Sequence, residues 1–386
     1  MASLRDLAHL NNWEYGSAKS VKGTNMNPQR RLVLRAGGLA ALVFGFPPSA
    51  FAQAPERIFL GDAHNHFGMF NRTKLRTSLK AQMEAAGVTL VAWAFVSDGK
   101  WIRMGPTGVD QVSVPREGEV AANFKESMEK LRGYLADKQL PFVQTAADVD
   151  AALDGKPYIV LAAEAADFLE GKLELIETAY ALGLRHLQLV HYMKSALGDL
   201  QTAMPTHMGL SEFGLQVVKA CNRLGILVDL AHCTAEAVDQ AVQASSVPCI
   251  WSHSYIADTP GDWRQSAVIS RRLGLAQAKR IAAKGGAVGL WGLARTVASL
   301  DRYASELLRM ADLIGPEHVM FGTDVDGLGQ GALIDDFGDM RKVLEILSKR
   351  GVEEKALQAI CIGNYARCLK GAMRERVAMT ERKVVG

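Results

Sequence analysis

From about residue 58 onward the chain alternates two patterns of apolar and polar positions. Short, near-continuous apolar runs occupy 58–60, 88–95, 142–145, 158–163, 186–190, 226–230, 248–251, 287–291 and 319–322. Runs without polar alternation suit parallel strands buried on both faces. Between them, apolar residues recur at helical spacing. In 119–138, Phe124, Met128, Leu131 and Leu135 share one face, and 173–182, 215–224, 275–284, 304–314 and 337–349 behave likewise. Gly183, Gly225, Gly285, Gly315 and Gly351 each follow such a segment, where a left-handed C-cap is expected. This unbroken alternation, about eight strand-helix units, predicts an α/β fold of the (β/α)8 TIM-barrel type over 55–386. A doubly wound open sheet is the alternative, but no GxGxxG follows the first run and no Walker motif occurs.

Polar residues gather where these runs end. His64 and His66 follow 58–60; Glu164 follows 158–163; His191 follows 186–190. His232 follows 226–230, His253 follows 248–251 and Asp324 follows 319–322. In a barrel these ends converge on one face, where active sites are built. Of nine histidines, five fall there; His9, His186, His207 and His318 do not. His64 and His66 are two apart, so on a strand they aim at one point. Imidazoles with carboxylates and no thiolate suit Zn²⁺ best and tolerate Mn²⁺ or Co²⁺.

Composition narrows the classes. A chain of 386 residues, 48% hydrophobic, can bury a large core, and a net charge of +3 with no basic block gives nucleic-acid binding no support. Five cysteines without a CxxC make neither a disulfide framework nor a thiolate zinc site. Residues 1–25 show no period and read as a leader from an over-long gene start. Residues 26–54 have the layout of an export signal. Arg30-Arg31 precedes an apolar run over 36–46, and Ala50-Phe51-Ala52 follows. The arginine pair resembles a twin-arginine signal, which predicts a periplasmic or secreted protein. The run is too short to span a membrane, and the C-terminus over 378–386 is polar, giving a lipid anchor no support.

Several longer segments carry a specific resemblance. Gly209-Leu210-Ser211-Glu212-Phe213-Gly214, the run 222–232 ending in Asp229-Leu230-Ala231-His232, Trp251-Ser252-His253-Ser254 and Gly322-Thr323-Asp324-Val325-Asp326-Gly327 resemble the membrane (renal) dipeptidase family, within the metal-dependent amidohydrolases. The likeness runs from about Gly61 to Arg367. It implies a binuclear zinc site at the C-terminal ends of barrel strands, its two ions bridged by a glutamate and a hydroxide. That hydroxide attacks the amide carbonyl of a dipeptide, including one with a D-residue on its C-terminal side. By position, His64 and His66 resemble the ligands of one ion, His232 and His253 those of the other, and Glu164 the bridge. His191 resembles the histidine that polarises the scissile carbonyl. Arg271, preferred to its neighbour Arg272, resembles the arginine that binds the substrate carboxylate. Asp324 resembles the acid that handles the proton or the substrate amine. The family tends to dimers, so the resemblance carries over an expected homodimer acting on a small molecule.

The chain departs from the family pattern at four places. His66 stands where the family has aspartate. Ala165-Ala166 replaces Gly-Gly after the bridge. Tyr192 replaces the Asn after the substrate histidine, and Leu275-Ala276 replaces an Asp-Asp pair. These changes leave two other readings open: hydrolysis of a lactam, cyclic amide, lactone or phosphoester by the same apparatus, or a metal-binding relative without turnover.

Overall fold

In the computed structural model the described residues are 58–68, 74, 78–105 and 108–373. The expected leader, the export signal and the terminal segment 378–386 lie outside them. Eight parallel strands form one sheet in chain order: β1 (Leu60–Asn65), β2 (Val88–Val96), β3 (Tyr158–Glu164), β4 (His186–Gln188), β5 (Leu227–Asp229), β6 (Ile250–Ser254), β7 (Ala287–Leu290) and β8 (Val319–Phe321). Helices occupy the crossovers, the longest being α1 (Glu119–Asp137), α2 (Glu212–Leu224), α3 (Leu300–Ile314) and α4 (Phe337–Lys349). Their starts are fixed locally. Ser211, Ser299 and Asp336 accept hydrogen bonds from the first turns of α2, α3 and α4, each cap worth about 1 kcal/mol.

The sheet curls until its edges meet, at the last residues of β1 and just past β8. His66 N–H donates to Val325 O (2.8 Å) and Asp324 N–H donates to His64 O (3.0 Å), and Asn65 pairs with Val325. The closing bonds are therefore made by the candidate ligands' own backbone. Strand alternation splits the core in two. On β2 and β3, Val91, Trp93, Phe95, Ile159 and Leu161 join one buried cluster, and Leu90, Ala92, Ala94, Val160 and Ala162 join the other. Glu164 shares the parity of Val160 and Ala162, so that smaller set faces the barrel axis. The axis is tight at one level. A Cβ at Gly289 or Gly322 would lie 1.8 or 1.6 Å from the carbonyl oxygen of Ser252, so only glycine lets β7 and β8 approach the strand that carries His253.

Two expectations need correction. The segment 142–145 is not a barrel strand; it makes a single bridge, Phe142 to Ile159. Its last residue, Thr145, is instead the cap of the helix Ala146–Leu153, in a reciprocal box with Asp148, and that local bonding takes the chain out of extended geometry. The first strand also runs to Asn65 rather than ending at 60, so His64 lies on the strand itself. No helix among the described residues is long and apolar enough to cross a membrane.

Candidate metal centre and active site

The strand ends bring together every residue singled out for chemistry. His64, His66, Glu164, His191, His232, His253, Arg271 and Asp324 are all buried. His64, Glu164 and His253 stand on β1, β3 and β6, and the others lie on the loops that leave the strand ends. Two of those loops turn sharply. His232 has φ 71° and Asp324 φ 58°, and Ala165, next to Glu164, has φ 77°. Left-handed backbone at a non-glycine residue costs about 1–3 kcal/mol, and here it is met at three places around one centre. Tertiary bonds hold the two turns: Gln201 N–H donates to His232 O and Asp324 N–H to His64 O.

The donor atoms form two groups about one carboxylate. His64 Nε2 and His66 Nε2 are 2.9 Å apart, and Asp324 Oδ1 lies 3.3 Å from His66 Nε2. His232 Nε2 and His253 Nε2 are 3.2 Å apart. Glu164 reaches both groups, with Oε2 3.3 Å from His66 Nε2 and Oε1 3.2 Å from His232 Nε2. The ligand atoms of His64, His66 and Asp324 all lie within 4.8 Å of one another, as do those of Glu164, His232 and His253. A third grouping, His64, Asp229 and His253, fits a cation less well. Asp229 already accepts from Ala231 N–H and Ser252 N–H and contacts His186 Nε2.

The imidazoles are oriented from behind, as metal ligands require. His66 Nδ1–H donates to Ala94 O (2.8 Å), which leaves its Nε2 lone pair facing the centre. His253 Nδ1 is 2.8 Å from Ser252 Oγ, which also lies 3.5 Å from His64 Nδ1. The charge balance agrees. Burial would lower the pKa of His66, yet Asp324 and Glu164 raise it to about 10, so a proton there occupies the place a metal cation suits. Burial, then Arg271 and His191, pushes His232 well below the usual imidazole range, and burial, then His64 and Arg271, does the same to His253. Burial alone would raise Glu164, but the surrounding histidines, His191 and His64 first, hold it well below the usual carboxylate range. Neutral imidazoles and an ionised bridging carboxylate are the donor states a divalent cation needs. Oxygen and nitrogen donors without sulfur fit zinc; the five cysteines are free and buried, and none joins either group.

Around this centre stand groups placed for substrate. His191 Nε2 is 3.4 Å from Glu164 Oε1. Arg271 Nη2 is 3.0 Å from His253 Nε2, and Nη1 donates to Tyr192 Oη (3.2 Å). Its guanidinium also faces the rings of Tyr192 and Trp291, and Ser254 Oγ–H donates to its carbonyl. Among the described residues this buried cation has no carboxylate partner. Arg272, the competing residue, is half-buried and bonds Thr259 instead.

Sequence reasoning missed Asp98. Its carboxylate accepts from His191 Nδ1–H (2.8 Å), Tyr192 N–H (3.1 Å) and Met193 N–H (3.0 Å), and it is fully buried. It sits two residues past β2, at the same end of the sheet as the histidines. Asp167 lies nearby, its carboxyl pushed well above the usual range by burial and then by the charge of Asp98.

Known proteins resemble this chain in sequence and in fold. The family model described as Membrane dipeptidase (Peptidase family M19) matches residues 59–383. Dipeptidase verJ of Clonostachys rogersoniana is 27% identical over 213 residues, covering 54% of this chain and 53% of that protein. The chain spans about half the length of the curated relatives it matches. Among solved structures, the metallo peptidase dipeptidase AC aligns with TM-score 0.69 at 23% identity, covering 82% of this chain and 99% of its own. A metallo peptidase from Rhodobacter sphaeroides, liganded with a phosphinate mimic of the dipeptide L-Ala-D-Ala, aligns with TM-score 0.68 at 22% identity, over 82% and 100%. These likenesses show the fold. The family model extends from before His64 to beyond the last described residue, and on that match the chain belongs to the membrane dipeptidase family.

Proposed function

We propose that the protein is a zinc-dependent hydrolase that cleaves the amide bond of dipeptides, including those with a D-residue on the C-terminal side. The observation that carries this reading is the two-sided donor set around Glu164, with Arg271 buried beside it. His64 and His66, with Asp324 in reach, would hold one ion; His232 and His253 would hold the other; Glu164 would serve both. Zinc ions bound there supply a water acidified to near-neutral pKa and a Lewis acid for the amide carbonyl; Mn²⁺ or Co²⁺ could replace them.

The chain's own residues do the remaining work. Arg271 pairs with the substrate's free carboxylate, which a planar guanidinium grips through two N–H groups. His191, held at Nδ1 by Asp98, turns Nε2 toward the scissile carbonyl and donates to the oxygen as negative charge builds on it. Asp324 passes a proton to the departing amine. Burial excludes bulk water and strengthens each of these contacts. The relative liganded with an L-Ala-D-Ala mimic supports including D-residues. The test is metal analysis of the purified protein beside a dipeptide panel containing both enantiomers of the second residue. About two zinc equivalents and hydrolysis of at least one dipeptide are expected. A protein that takes up metal but cleaves no dipeptide, while opening lactams or lactones, would overturn the substrate assignment.

We further propose export from the cytoplasm, supported by Arg30-Arg31, the apolar run 36–46 and Ala50-Phe51-Ala52. N-terminal sequencing of the exported chain should read from about residue 53; a start near Met1 would sink the idea.

A further inference from the structure

A cleft of about 220 Å³ opens beside the centre, lined by Asp110, Tyr192, Thr202, Trp263, Gln265 and Ser270 among others. Tyr192 forms the partition. Its hydroxyl holds Arg271 and its ring lies perpendicular to that of His232, 5.0 Å away, while the same residue lines the cleft. Ser270, also lining it, is the neighbour of Arg271. The cleft therefore adjoins the place where a substrate carboxylate would sit.

Its walls have a distinctive chemistry. Asp110 is the only charged residue among those that line it. Asp110 makes no ion pair among the described residues, although Arg103 faces it across the hairpin Ile102–Gln111. Two aromatic rings, Tyr192 and Trp263, flank the space. The exposed large apolar residues of the described chain are Met104, Val112, Val114, Met204, Met208, Trp263 and Ile269. Trp263 lines the cleft itself, and Met104, Val112, Val114, Met204 and Ile269 lie within four residues of a lining residue along the chain. Aromatic walls and one carboxylate match a long aliphatic stem that ends in a cation.

We infer that this cleft is the subsite for the side chain of the substrate residue that carries the free carboxylate, and that it selects a basic side chain, arginine or lysine. The inference rests on the proposed dipeptidase activity and names its substrate class. Arg271 takes the carboxylate, the stem lies along Trp263 and Tyr192, and the head group reaches Asp110.

The test is kcat/KM for Ala-Arg, Ala-Lys, Ala-Leu and Ala-Glu, each with an L or a D second residue, using metal-loaded full-length protein. Ala-Arg and Ala-Lys should exceed Ala-Leu and Ala-Glu by about tenfold, the sum of one ion pair and one cation–π contact. Asp110→Asn should shrink the Ala-Arg to Ala-Leu ratio to within about threefold, mainly through KM, and Asp110→Lys should favour Ala-Glu over Ala-Arg. Ratios are insensitive to the fraction of folded enzyme, so an unstable variant does not mimic the result. Cleavage of Ala-Leu as good as that of Ala-Arg, or a ratio unmoved by Asp110→Asn, overturns the subsite and leaves the dipeptidase reading standing. Failure to cleave any dipeptide overturns both.

Discussion

Replacing Asp98 by asparagine asks whether His191 is held by charge or merely by shape. The carboxylate accepts three N–H groups, from His191 Nδ1, Tyr192 and Met193. An asparagine of the same size offers one oxygen and one NH₂. If the oxygen keeps the two backbone N–H groups, the NH₂ faces His191 Nδ1 and forces the proton onto Nε2. If it keeps the histidine, the backbone donors lose their partner. Either way one charge-assisted bond is lost, worth about 1.5–3 kcal/mol. Nε2 can donate to the oxyanion while Nδ1–H is held only if His191 is doubly protonated, a state that, against burial, Asp98 and Glu164 favour, so that loss falls on kcat, a decrease of about 10- to 150-fold with KM within about threefold. Folding should suffer less. The charge of Asp98 also raises the pKa of buried Asp167, and removing it relieves that repulsion, so stability should fall by no more than about 2 kcal/mol. Steady-state kinetics on the best dipeptide, metal analysis and a denaturant titration read these quantities separately. A kcat within about threefold of wild type at full metal content would refute the positioning role. Loss of metal in step with activity would refute it differently, by showing that Asp98 supports the ligands rather than the substrate histidine.

Four further outcomes follow from the same geometry. His232→Ala and His253→Ala should each lower metal content and reduce turnover at least about 100-fold; full turnover in either removes the second group from the site. His66→Asp adds a carboxylate beside Glu164 and Asp324, so the metal-free protein should melt lower while metal affinity rises on the order of tenfold; titration with a competing chelator reads this, and unchanged or weaker affinity contradicts it. Gly322→Ala would drive a methyl into the Ser252 carbonyl, costing about 1–3 kcal/mol by overpacking and displacing His253; a crystal structure with His253 unmoved and metal intact would count against that coupling. His232 and His253 are held well below the ordinary imidazole pKa, chiefly by burial, so the unfolded chain binds more protons than the folded one as pH drops. The contribution of these two histidines to stability and metal retention should therefore be lost below about 6.5, whereas His66, raised to about 10, favours the folded metal-free chain at lower pH; dialysis at pH 5 that leaves the metal content of the pH 7.5 sample would contradict the assignment.

What the sequence disclosed and what it withheld divide along one physical line. The eight strands were legible because a parallel strand buried on both faces must be apolar throughout, and a polar residue at its end is then conspicuous. Glu164 after 158–163 and His253 after 248–251 stand out for that reason alone. Expectation failed where bonding at one residue decides the geometry. At Thr145, a reciprocal side-chain cap with Asp148 begins a helix where apolarity had suggested a strand. Asp98 was hidden for a related reason: the apolar run was read as ending at 95, whereas the strand continues through Val96, and an aspartate beyond it looks like any loop residue until His191 is seen against it. The left-handed turns at His232 and Asp324 have no sequence signature, because neither is glycine and the bonds that hold them come from residues 201 and 64. Those turns carry the functional argument furthest. A histidine and an aspartate kept in a costly backbone conformation by distant partners imply that side-chain direction at the centre is over-determined. A substitution at Gln201, remote from the chemistry but bonded through its N–H to His232 O, would leave that bond intact; only proline there would remove it. Gln201→Pro should therefore relax the His232 turn and weaken metal binding, whereas Gln201→Ala should not.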